Sequence, residues 1–188
     1  MNNFRIVFVH GYTASSKADW YPDLSPKLKD LGIDFSVPDL SGGDYPHAGK
    51  WLEEIDQAVT RSEKPLILVG HSLGTRAVLL YLEKYQKRAE KVFLIAAFAN
   101  KLENAKRGGG KKFPDFFDHL INLEKIKTLV GKFIVIHSED DPSISYRQGK
   151  ELAGQLNARL ISYPDRGHFY KPENAPIVLD ILRNELIS

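Results

Sequence analysis

Cysteine is absent from this chain of 188 residues. That excludes disulfides, thiolate metal sites and a cysteine nucleophile together. It also fits a reducing compartment, so a cytoplasmic location is the expectation. No apolar run approaches the roughly 20 residues a membrane helix requires, and no membrane association is expected. The opening stretch Met1-Asn2-Asn3-Phe4-Arg5-Ile6-Val7-Phe8-Val9 has too short an apolar part for a signal peptide and runs straight into a candidate core strand. A strong charge of either sign is lacking too: 26 basic against 24 acidic residues leave a formal net charge of +2. Nothing in that balance points to nucleic acid as a partner. Finally, the first strand candidate is followed by the lone Gly11 rather than a G-x-G-x-x-G turn, which argues against a dinucleotide cofactor.

What is present looks ordinary in bulk. Hydrophobic residues make up 43% and charged residues 27%, the balance of a globular domain, and the length suits a single domain over residues 1–188 with one core. Apolar, partly β-branched runs recur at Arg5–Val9, Asp34–Val37, Leu66–Val69, Lys91–Ala96, Lys132–His137 and Arg159–Ser162. Segments of helical periodicity alternate with them at Trp20–Leu31, Ala48–Ser62, Leu73–Tyr85, Ser145–Leu156 and Ala175–Ile187. Strict β/α alternation predicts a three-layer α/β/α fold around a mostly parallel six-stranded sheet. Strands that read as continuous apolar runs agree, since such strands are covered on both faces. Right-handed crossovers and one reversal of winding give the strand order 2-1-3-4-5-6, with a site beyond the carboxyl ends of the strands.

The stretch richest in chemistry is Gly70-His71-Ser72-Leu73-Gly74. It matches G-x-S-x-G and lies between a strand candidate and a helix candidate, the setting of a nucleophile elbow. A serine hydroxyl needs a base, a group that orients the base, and donors for the oxyanion. His168, on a loop between the last strand and the last helix, is the candidate base. His137 falls inside the fifth strand candidate, where a satisfied buried imidazole is the plainer reading. The orienting acid comes from Ser138-Glu139-Asp140-Asp141-Pro142. Asp141 is preferred because the Asp-Pro step stiffens the turn, with Asp140 as its competitor and Glu139 behind. The backbone N–H of Leu73, at a helix start, and that of Tyr12, on the loop after the first strand, are the oxyanion-hole candidates, with Thr13 close to Tyr12. His10, Gly11, His71, Trp20 and Phe169 are candidates to shape or line a substrate pocket, with Tyr21 beside Trp20. The basic, Gly-rich stretch 100–112 reads first as a solvated loop; because it starts at the same sheet edge as Ser72, segment 100–118 is geometrically able to act as a lid.

Val9-His10-Gly11-Tyr12, Trp20-Tyr21-Pro22, Pro38-Asp39-Leu40, the elbow, Ser138-Glu139-Asp140-Asp141-Pro142 and Gly167-His168-Phe169 together resemble the α/β-hydrolase superfamily. More closely, the chain resembles its small cap-less branch, the retinoblastoma-binding protein 9-like serine hydrolases. The resemblance implies a Ser72–Asp141–His168 triad, cleavage of small carboxylic esters, a small-molecule acyl substrate, and neither metal nor cofactor. Thioester or amide cleavage, acyl transfer, or ligand binding without catalysis are alternatives on the same scaffold. The retinoblastoma-binding motif linked to the family name needs a cysteine, so no protein partner is implied.

Overall fold

The computed structural model describes residues 3–100, 102 and 111–187. Six strands, β1 (Arg5–Val9), β2 (Asp34–Ser36), β3 (Leu66–His71), β4 (Ala89–Ile95), β5 (Val130–Ser138) and β6 (Arg159–Tyr163), form one sheet. Every pairing is parallel and the order is β2-β1-β3-β4-β5-β6, as the sequence predicts. The helices are α1 (Tyr21–Asp30), α2 (Ala48–Val59), α3 (Leu73–Tyr85), α4 (Leu123–Lys127), α5 (Tyr146–Leu156) and α6 (Ala175–Ile187). Helix α4 and the short 3₁₀ turns at Pro114–Phe117 and Pro172–Asn174 escape the sequence reading, being too short to show a period.

Pleating of the strands divides the core in two. Ile6 and Phe8 face one layer, where they bury with Trp20, Leu24 and Leu28 of the α1 region and Val178 and Leu182 of α6. Val7 and Val9 face the other, against Trp51 and Ile55 of α2, Ala77 and Leu80 of α3 and Leu152 of α5. Strands β1 and β3–β5 are apolar almost throughout because both faces are covered. The chain winds outward from β1 in both directions, so the loops that leave β1 and β3 diverge and open a crevice between them. Helix α6 is fastened to the sheet by Glu185, a buried carboxylate that pairs with Lys132 at 2.6 Å and Arg159 at 2.5 Å.

Candidate active site

Ser72 occupies the single residue between β3 and α3. Its backbone is held at φ 54° and ψ −120°, a conformation that costs a residue with a Cβ on the order of 1–3 kcal/mol. The flanking glycines make the turn possible. A Cβ on Gly74 would stand 2.1 Å from the Val9 carbonyl oxygen, and one on Gly70 would stand 2.7 Å from the Gly74 carbonyl oxygen. Either methyl would force β1, β3 and α3 apart. The elbow is braced by hydrogen bonds: Ser72 N–H donates to the Ile95 carbonyl at 2.9 Å, and the Thr75 hydroxyl donates to the Ser72 carbonyl at 2.7 Å.

His168 arrives on the loop after β6, with its Nε2 2.8 Å from Ser72 Oγ. Its Nδ1 lies 2.9 and 3.0 Å from the two carboxylate oxygens of Asp141, on the loop after β5. A continuous chain Asp141–His168–Ser72 is thus assembled from three strand ends, more than 90 residues apart in sequence at its widest. The Asp141 side chain is fully buried. It is fixed by the N–H groups of Ser143 (2.8 Å) and Ile144 (3.0 Å). Asp140 does something else: exposed to solvent, it accepts from the Ser138 hydroxyl at 2.5 Å and from Gly167 N–H at 2.8 Å. Those two donors hold its carboxyl below the usual range and tie the acid loop to the His168 loop.

His137 lies within β5, buried. It accepts from Ala97 N–H through Nδ1 (3.2 Å), which puts its proton on Nε2, facing the Ile144 carbonyl at 3.0 Å. The same Nε2 lies 3.5 Å from Asp141. Burial lowers the His137 pKa, and the neutral ring serves as a strut under the acid loop. Gly149 of α5 must lack a side chain here, because a Cβ would stand 2.1 Å from His137 Nδ1.

Several expected pocket residues prove to be fasteners instead. Trp20 and Phe169 are wholly buried in the core. The Trp20 indole N–H donates to the Phe169 carbonyl at 2.8 Å, and the Phe169 ring packs on Tyr163. Tyr21 is buried likewise. His10 is buried with its Nδ1–H on the Gly11 carbonyl (2.8 Å) and its Nε2 accepting from Leu40 N–H (2.9 Å); both ring nitrogens are committed to backbone, and burial lowers its pKa. His71 borders the cavity at Ser72, yet its Nε2–H donates to the His168 carbonyl at 2.8 Å. His71 and Trp20 therefore grip consecutive carbonyls of the loop that carries His168. Gly11 does sit at the site: a Cβ on it would be 3.2 Å from Ser72 Cβ. Tyr12, next along, lines both cavities at Ser72. Leu73 opens α3, so no earlier helical carbonyl is placed to accept from its N–H.

Two cavities meet at Ser72 and His168. One is an open cleft of about 470 Å³ whose walls include Gly11, Asp19, His71, Pro142 and Tyr170. The other is a slot of about 20 Å³ walled by Leu73, Phe98, Leu102, Phe113 and Ile144. Phe113 both lines the slot and packs on Tyr12, its ring centroid 4.9 Å away, whereas Phe116 goes wholly to the core. A further cavity of about 440 Å³, near Lys64, Lys87 and Arg88, opens at the amino ends of the strands. It contains no member of the chain at Ser72. Among the described residues, no three histidine or carboxylate side chains converge as metal ligands would, and no helix is long and apolar enough to cross a membrane.

One residue that organises this region lies outside the motifs. Arg76, on α3, is fully buried. Its guanidinium donates to the carbonyls of Phe116 (2.6 Å), Ala99 (2.6 Å) and His119 (2.8 Å) and to Asn100 Oδ1 (2.9 Å). Burial without a carboxylate in contact pulls its pKa down to about 10. The clamp ties both ends of the excursion between β4 and α4 to the helix behind Ser72. A cation directly ahead of the apolar run Ala77-Val78-Leu79-Leu80 is the signal that could have exposed it. The proposed lid falls partly on residues 101 and 103–110, outside the described residues.

A family profile described as serine hydrolase matches residues 6–174. YdeN of Bacillus subtilis is 29% identical over 183 residues, covering 95% of this chain and 94% of that one. The crystal structure of the ydeN gene product superposes with a TM-score of 0.86 at 27% identity, covering 98% of this chain and 99% of that one. Serine hydrolase RBBP9 of Rattus norvegicus is 33% identical over 125 residues, covering 65% of this chain and 62% of its own length. Est1E from Butyrivibrio proteoclasticus, solved with ferulic acid bound, shares the fold with a TM-score of 0.76 at 14% identity over 97% of this chain and 88% of that one. The chain belongs to the serine hydrolase family.

Proposed function

We propose that this serine hydrolase cleaves small carboxylic esters through an acyl-enzyme on Ser72, with His168 as base and acid and Asp141 as the group that orients it. The observation that carries the reading is the unbroken hydrogen-bonded chain from Asp141 through His168 to Ser72 Oγ at the junction of two cavities. Asp141 accepts the Nδ1 proton of His168, which leaves the Nε2 lone pair facing the serine hydroxyl. His168 takes that proton as Oγ attacks the ester carbonyl carbon, and Asp141 stabilises the imidazolium. The oxyanion is received by the N–H groups of Leu73 and Tyr12. As the tetrahedral intermediate collapses, the C–O bond to the alcohol breaks and His168 returns the proton to the departing oxygen. A water molecule, deprotonated by the same Nε2, then attacks the acyl carbon; Ser72 leaves and regains its proton.

An uncharged leaving alcohol suits the cleft better than a polyanionic one. Among the described residues its lining holds the carboxylate of Asp19 and no lysine or arginine. The test is turnover of p-nitrophenyl acetate by the wild type and by Ser72→Ala. The account requires steady hydrolysis by the wild type and loss of about 10³-fold or more in kcat for the variant. Equal rates would remove Ser72 from the mechanism.

A further inference from the structure

The two compartments at Ser72 differ in kind. The slot is narrow, about 20 Å³, and beside Tyr12 and Ser143 its walls are Leu73, Phe98, Leu102, Phe113 and Ile144, all buried and apolar. The cleft is some twenty times larger at about 470 Å³ and is edged by Thr13 and Asp19, neither of which reaches the slot. An ester bound at Ser72 carries two substituents on its carbonyl carbon, and they must go to different places. The alkoxy group leaves midway through the reaction, and water must then reach the same carbon. Both movements need the open cleft. The acyl group stays on Ser72 throughout, so it is the substituent a narrow apolar compartment can hold. Leu73, whose N–H is the proposed oxyanion donor, also forms a wall of the slot, which places the carbonyl at its mouth.

We infer that the slot is the acyl site and that it selects the acetyl group. This rests on the ester-hydrolase reading above and adds to it a substrate class and the residues that set it. A volume of about 20 Å³ is close to the space one water-sized group occupies, enough for the acetyl methyl and too little for a chain. The walls cannot easily yield. Phe113 is wedged among the rings of Tyr12, Phe116 and Phe117, Phe98 stacks on Phe117, and Ile144 is tied through its N–H to Asp141 and through its carbonyl to His137. A methylene that a narrow apolar pocket must reject costs roughly 10–200-fold in kcat/KM.

The experiment measures kcat/KM for p-nitrophenyl acetate, butyrate, hexanoate and octanoate with the wild type, Phe113→Ala and Ile144→Ala, each substitution removing one wall residue of the slot. The wild type should favour acetate at least tenfold over hexanoate. Either enlarged variant should move the optimum to a longer acyl chain, and circular dichroism identifies whichever variant keeps its fold. A wild-type profile that is flat or rises with chain length, in an enzyme silenced by Ser72→Ala, overturns the slot assignment while leaving the hydrolase reading intact. An optimum unmoved in both folded variants does the same. Failure to hydrolyse any ester, or turnover that survives Ser72→Ala, removes the hydrolase reading and this inference with it.

Discussion

Replacing Ser72 by glycine should make the protein more stable than replacing it by alanine, although both changes abolish the nucleophile. Ser72 holds φ 54° and ψ −120°, where any side chain strains the backbone by about 1–3 kcal/mol. Alanine keeps the Cβ and the strain; glycine removes both. Both variants lose the 2.8 Å bond to His168, so that loss cancels in the comparison. Against glycine stands the extra freedom it gives the unfolded chain, about 0.5–1 kcal/mol relative to alanine. The balance favours Ser72→Gly by about 1 kcal/mol at the middle of these ranges and by about 2.5 kcal/mol at most, which for a chain of this length corresponds to a Tm higher by roughly 2–4 °C, and by about 10 °C at most. Differential scanning calorimetry of the two variants in one buffer provides the comparison, and urea midpoints at equal m-value confirm that stability alone has changed. A Ser72→Ala protein more stable than Ser72→Gly by the full glycine penalty of about 0.5–1 kcal/mol would show that the elbow stores no strain.

Three other outcomes follow from the geometry. Asp141→Asn should lower kcat by up to about 10⁴-fold, because the N–H groups of Ser143 and Ile144 claim the amide oxygen and leave the NH2 group donating to His168 Nδ1, which favours the wrong tautomer; Asp140→Asn should cost less than about tenfold, since Asp140 touches Ser138 and Gly167 rather than the imidazole, and steady-state kinetics on both variants separates the roles. Arg76→Met should lower stability by about 2–4 kcal/mol in urea denaturation by stranding four acceptors, two buried and two part-buried, with little rescue by Arg76→Lys because an ammonium cannot span them. Stability should also fall in two stages on acidification, read by urea unfolding across pH. His10 and His137 have folded pKa values held below 6.5 by burial, so the unfolded chain binds more protons and stability declines as pH drops below 6.5. Glu185, for which burial alone would raise the pKa, is instead lowered from 4.5 by Lys132 and Arg159; its contribution is present above 4.5 and is lost as pH falls through the folded value.

The sequence made the scaffold legible because its strands are covered on both sides and its helices are amphipathic. The runs at β1 and α3 carry their boundaries in their composition, and the sheet order follows from handedness rules. The chemistry-bearing loops were legible in the same way: Ser72, Asp141 and His168 each follow a strand, and the structure brings them into one hydrogen-bonded chain. Composition could not tell a lining residue from a bracing one. Trp20, Phe169 and His10 have the side chains of a pocket and the sequence positions of one, yet each spends its polar or aromatic capacity on the backbone or core. The difference depends on side-chain direction across elements that sequence does not place in register. Arg76 shows the converse, since a charged residue on a helix reads as solvent-facing until the four acceptors around it come from a distant segment.

The central claim is that Ser72 is a nucleophile activated by His168. The most direct measurement is covalent labelling of the folded protein with a fluorophosphonate, followed by intact-mass and peptide mapping of the wild type, Ser72→Ala and His168→Ala. The account predicts one adduct per chain, located on Ser72, absent in Ser72→Ala and strongly slowed in His168→Ala. A wild type that remains unmodified while folded, or an adduct on another residue that persists in Ser72→Ala, would contradict it.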